Sequence, residues 1–98
     1  MTQRVKLPNG QQGTIGSPAH RLLQRMVRAR GYVARGDGAS ITQLLSLSKA
    51  GHVKLHYSYE GARPIIEGAF LTPAGARYVE MLDAAEADAL RLNELIGV

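Results

Sequence analysis

The chain has 98 residues, enough for one domain, and a chain this short buries about 60–65% of its unfolded surface at most. Hydrophobic residues make up 45% and charged residues 20%, an ordinary globular balance rather than a disordered one. With no cysteine, disulfides, thiolate metal sites and thiol nucleophiles are excluded together, and the formal charge is +4.

That charge is unevenly spread. Residues 1–63 hold ten bases against two acids, a balance of +8. Residues 64–98 hold two bases against six acids, a balance of −4. A basic body with an acidic tail points to a surface that meets a polyanion and a segment held away from it. No apolar run is long enough to span a membrane, and the N-terminal stretch lacks the apolar region of a secretory leader. A cytoplasmic protein is expected, nucleoid-associated if it binds DNA.

In chain order, Asn9-Gly10 lies between short β-compatible pieces, so residues 1–16 read as a hairpin or a loose arm. Ser17-Pro18 caps a helix to about Ala29, with Leu22, Leu23, Met26 and Val27 on one side and Arg21, Arg25 and Arg28 as a basic stripe. Gly31 is the expected stop, and Tyr32–Ala34 a short strand in a glycine-rich loop. Ser40 caps a second helix that ends at Gly51. Its expected core face is Ile41, Leu44, Leu45 and Ser48, and its exposed face Thr42, Gln43, Ser46 and Lys49. Both helices leave through a glycine into a hydrophobic strand, which reads as a recurrent exit rather than a repeat.

Val53, Leu55, Tyr57 and Tyr59 alternate with Lys54, His56 and Ser58, the pattern of a half-buried strand. A turn at Glu60–Pro64, carrying Gly61 and Arg63, leads back through Ile65–Leu71 to close a hairpin. Tyr57 and Tyr59 are expected in the core or hairpin. Thr72-Pro73 begins a last helix to about Ile96, roughly 36 Å long. It should overhang a domain of this size. Its heptad seam, Tyr78, Leu82, Ala85, Ala89, Leu92 and Ile96, is a candidate dimer interface.

From Ser40 to Leu82 the phrases SITQLLSLSKAGHVKL, YEGARP and FLTPAGARYVEML resemble the recognition helix, wing and following helix of bacterial winged helix-turn-helix regulators, the MarR and PadR groups in particular. The resemblance covers about forty-three residues. It departs from the family pattern before Ser40, where one helix stands in place of two. It implies an α+β, mostly helical, winged-helix-like fold and a dimeric transcriptional regulator that binds double-stranded DNA. Helix 41–50 would lie in the major groove and the 60–64 tip would act as wing.

In that reading Thr42, Gln43 and Ser46 reach base edges or phosphates and Lys49 a phosphate. Arg63 enters the minor groove, and Arg21, Arg25 and Arg28 follow the backbone. The alternative is a non-enzymatic interaction module, such as a phage-type inhibitor or adaptor, whose basic face meets an acidic protein. An RNA-binding reading lacks a visible aromatic platform.

Nothing in the spacing argues for catalysis or a cofactor. His52 and His56 lack a third metal ligand, and His20 reads as a surface residue. Gly10, Gly13 and Gly16 precede a capped helix without the Lys-Ser/Thr ending of a phosphate loop. Glu80, Asp83 and Glu86 read as a solvated face.

Overall fold

The computed structural model describes residues 2–96, with side-chain surroundings to residue 92. It is a small α+β domain of three helices and two antiparallel sheets. In chain order these are β1 (Gln3–Lys6), β2 (Gln12–Ile15), α1 (Pro18–Arg28), β3 (Tyr32–Ala34), α2 (Ile41–Lys49), β4 (Val53–Glu60), β5 (Arg63–Leu71) and α3 (Pro73–Ile96). Among the described residues no helix is long and apolar enough to cross a membrane.

The N-terminal segment is a hairpin: β1 pairs with β2 from Gln3↔Ile15 to Lys6↔Gln12. Gly10 takes a positive φ in its turn. Gly13 lies against α3, where a Cβ would come within 2.6 Å of Leu82 Cδ2. The Gly10–Gly16 stretch is thus a packed hairpin strand and its turn, not a phosphate cradle.

Both internal helices begin on a serine. Ser17 Oγ accepts from the His20 N–H at 3.1 Å. Ser40 forms a full capping box with Gln43: Ser40 Oγ accepts from Gln43 N–H, and Gln43 Oε1 accepts from Ser40 N–H, each at 3.1 Å. They also end alike. Gly31 N–H donates to Met26 O and Arg30 N–H to Val27 O; His52 N–H donates to Leu47 O and Gly51 N–H to Ser48 O. These are two copies of the Schellman pattern, which requires a left-handed residue after the helix. Gly51 supplies it at the second exit with φ 81°, but at the first it is Arg30, at φ 63°, ahead of Gly31. The exit shared by both helices is real, and its first copy places a side chain where glycine is the usual choice.

The larger sheet has the order β3-β5-β4. β4 and β5 form the expected hairpin, with a bulge between His56 and Tyr57, and β3 joins the other side of β5 through Tyr32↔Phe70, Val33↔Ala69 and Ala34↔Gly68. One face of this sheet carries Val33, Ala69, Val53 and Leu55 into the main core. Leu22, Leu23 and Met26 of α1, Leu44 and Leu47 of α2 and Val79 of α3 complete it. A second, smaller core of Leu7, Ile15 and Leu82 seats the N-terminal hairpin on α3. α2 is rotated from the expected face: Leu44 and Leu47 are buried, whereas Ile41 and Leu45 stand 41% and 40% exposed.

α3 begins in tight contact with the body. Thr72 Oγ1 accepts from the Gly75 N–H at 3.0 Å and donates to Gly51 O at 2.7 Å, and Thr72 N–H donates to His52 O at 3.1 Å. Gly75 is buried there, and a Cβ on it would overlap the His52 carbonyl oxygen. The distal half of the helix projects, as its length predicts, and the molecule measures 59 × 25 × 21 Å.

Gly75→Ala should therefore lower stability by roughly 1–3 kcal/mol, because a backbone atom blocks the added methyl. A urea midpoint equal to that of the parent chain would show that the junction can relax.

Candidate nucleic-acid interface

α2 and the β4–β5 hairpin stand side by side because one short turn, 50–52, joins them and Thr72 ties that turn to the start of α3. Thr42, Ser46 and Lys49 are exposed on the outward side of α2, with the exposed Ile41 and Leu45 along its flank. Gln43 is not available in the same way. Its side-chain oxygen is held by the capping box, so it stabilises the helix start instead of facing outward.

At the hairpin tip Glu60 pairs with Arg63 in register, and Arg63 is exposed. Tyr59, expected in the core or hairpin, is a hairpin residue 73% exposed near the tip.

The arginine stripe of α1 divides into three different situations. Arg21 makes a two-pronged bond with Glu86 of α3, Nη2 to Oε2 at 2.7 Å and Nη1 to Oε1 at 3.1 Å. The guanidinium holds the Glu86 carboxyl below its ordinary range, mainly through this hydrogen bond, and Arg21 is raised in turn. Arg25 turns its guanidinium to the Asp37 carbonyl and covers Gly38, closing the 35–40 loop. Only Arg28 is without an ion-pair or hydrogen-bond partner among the described residues; it is exposed, and with Tyr32 and Arg25 it lines a cavity of about 270 Å³.

Two acids expected on a solvated face thus work as anchors. Besides Glu86, Asp83 accepts from His20 Nε2 at 2.8 Å and from Gln24 Nε2 at 2.7 Å. His20, expected at the surface, is fully buried, and its Nδ1 accepts the Gly16 N–H at 2.9 Å. That bond places the ring proton on Nε2, aimed at Asp83. Donor atoms of His20, Asp83 and Glu86 lie within 4.8 Å of one another, yet the protonated Nε2 offers a metal no lone pair and Glu86 is held by Arg21. The cluster is a clasp between α1 and α3. His52 and His56 do not converge either: His52 stacks on Tyr78 at 4.1 Å, and burial lowers its pKa, while His56 sits 2.9 Å from the Tyr32 hydroxyl.

Of the proposed dimer seam, Tyr78, Leu82 and Ala85 are used inside the monomer, Ala85 against the small core. Tyr78 packs against both cores and Leu82 is 1% exposed. Ala85 and Ala89 are half-buried and Leu92 is exposed; the side chain of Ile96 lies outside the described residues.

The open face of the larger sheet holds a feature that the sequence reading missed. Tyr32, His56 and Phe70 cluster there, with ring centroids 4.8 Å apart for Tyr32–Phe70, 5.5 Å for His56–Phe70 and 5.7 Å for Tyr32–His56. Only the β3–β5 pairing brings them together, and that register spans nearly forty residues of chain.

No family model, curated protein or solved structure matches this chain.

The Arg21–Glu86 bond has a pH signature. A carboxyl whose folded pKa lies below its ordinary 4.5 contributes stability that is complete above that value and is lost as pH falls through the folded pKa. Glu86→Gln should therefore flatten the acid limb of the stability–pH curve below about pH 4.5 while leaving the neutral region nearly level. An acid limb unchanged in the variant would show that the pair does not couple to folding.

Proposed function

We propose that this chain is a non-enzymatic double-stranded-DNA-binding protein, a dimeric transcriptional regulator of the winged-helix kind. α2 lies in the major groove and the β4–β5 tip serves as the wing. The observation that carries the reading is the fixed junction between the two. The Schellman exit of α2 runs straight into β4, and Thr72 locks that turn to α3. A helix and a hairpin held at one angle can address a groove and its flank together.

The contacts are fewer than the sequence implies. Lys49, Arg63 and Arg28 remain as phosphate or minor-groove contacts, and Thr42 and Ser46 as contacts to base edges or phosphates. Arg21 and Arg25 act by holding α1 to α3 and the 35–40 loop in place. The distal half of α3, through Ala89 and Leu92, pairs with a second copy, so that a two-fold dimer meets a near-palindromic site.

A specific observation favours the second reading, an interaction module for an acidic protein partner. Ile41 and Leu45 flank the polar face of α2, and exposed apolar side chains beside Lys49 suit a protein interface.

Duplex binding measured across salt concentrations separates the two. Three phosphate contacts per protomer, six per dimer, give a log–log salt slope of about −5, and Lys49→Ala or Arg63→Ala, each removing two contacts per dimer, reduces its magnitude by about 1.8. No duplex affinity at low salt would overturn the DNA reading and leave the protein partner.

The dimer is tested separately by light scattering at micromolar concentration. The expected particle has twice the 10.6 kDa mass of the chain, and a 10.6 kDa particle would contradict the dimer.

A further inference from the structure

We propose that the open face of the β3-β5-β4 sheet binds single-stranded DNA, seating an unpaired base on Phe70 beside Tyr32 and His56, with Lys54 taking a flanking phosphate.

The sheet buries Val33, Ala69 and Leu55 on one side, which leaves the alternate residues on the other. Tyr32, Phe70 and Lys54 form one row across the three strands, and Ala34, Gly68 and His56 form the next. Gly68 shapes this face. A Cβ there would come within 2.5 Å of the Tyr32 hydroxyl and 2.8 Å of Cζ. The Tyr32 ring therefore lies across β5, and its hydroxyl reaches His56 Nδ1 at 2.9 Å. Tyr32 and His56 fix each other, and Phe70 beside them is left 47% exposed.

The rings are tilted 54–66° to one another, so they line a shallow cup rather than one plane. A cross-strand aromatic cluster by itself stabilises a sheet. Stabilisation alone does not call for an apolar ring half open to water, beside a lysine. Lys54 ends the aromatic row, while Arg28 lies apart from it, in a hollow lined also by Tyr32, Met26, Val33 and Asp37. Glu67 accepts from Ser58 Oγ at 2.6 Å, beyond Gly68 from that row, and Asp37 lines the hollow beside Arg28. An aromatic face with a lysine at its end matches the pairing of base and phosphate in a single strand. A folded duplex, whose bases are already stacked, offers nothing to seat in the cup.

The choice of DNA over RNA rests on the duplex-DNA reading above; the stacking does not. The test is fluorescence anisotropy at low salt, with a short labelled oligothymidine, the matching oligouridine and a blunt duplex. Phe70→Ala should weaken oligothymidine binding about tenfold and leave duplex binding unchanged, and Phe70→Tyr should restore it. Lys49→Ala should do the reverse, weakening the duplex alone.

Oligothymidine that does not bind, or that binds Phe70→Ala as tightly as the parent chain, would overturn the proposal. Tighter binding of oligouridine than oligothymidine would overturn the assignment to DNA. Oligothymidine binding sensitive to Phe70, in a chain with no duplex affinity, would support this site and sink the duplex reading instead.

Discussion

Tyr78 joins the two parts of the domain. Its ring stacks on His52 at the end of α2, packs against the main core and also touches the small core beneath the N-terminal hairpin. A Cβ on Gly13 would come within 3.0 Å of its hydroxyl. One side chain therefore faces the α2–β4 junction on one side and β2 on the other. Below it the Thr72 and Gly75 contacts hold the first turn of α3 against the same junction. A domain of this size has little apolar area to spare, so an aromatic residue shared between two cores has a large share in its cohesion.

Charge is used in the same economical way. The acidic segment is not simply kept away from the basic one. Asp83 and Glu86 reach across to His20, Gln24 and Arg21, and so align α1 with α3. The Arg21–Glu86 pair is substantially exposed and contributes modestly on its own, whereas buried His20, bonded at both ring nitrogens, fixes position. This internal use of charge narrows the surface left for a polyanion. Among the cations left, Lys49 lies on α2, Arg63 at the hairpin tip, Arg28 at the end of α1 and Lys54 on the open sheet face.

The sequence made the local features plain because local chemistry carries them. Ser17-Pro18, Ser40 with Gln43, the alternation from Val53 to Tyr59 and the Thr72-Pro73 start each announce an element, and each element forms where expected. The features it hid depend on contacts distant along the chain. Helical spacing alone could not choose between Leu45 and Leu47 for the core, because the sheet beneath α2 makes that choice. Gln43 was expected on the exposed face, but its position three after Ser40 is a capping signal, and the capping box leaves it half-buried at the helix start. The partners of Arg21 and His20 lie more than sixty residues away, and the aromatic cluster needs the β3–β5 register.

The central claim is that α2 and the β4–β5 tip form one DNA-facing surface. Amide chemical-shift mapping during titration with a mixed-sequence duplex tests it most directly. The account predicts that the shifts gather in residues 40–50 and 60–64, with smaller changes near Arg28 and none along residues 85–92 of α3. Shifts centred on the distal part of α3 or on the N-terminal hairpin, with 40–50 and 60–64 silent, would contradict it.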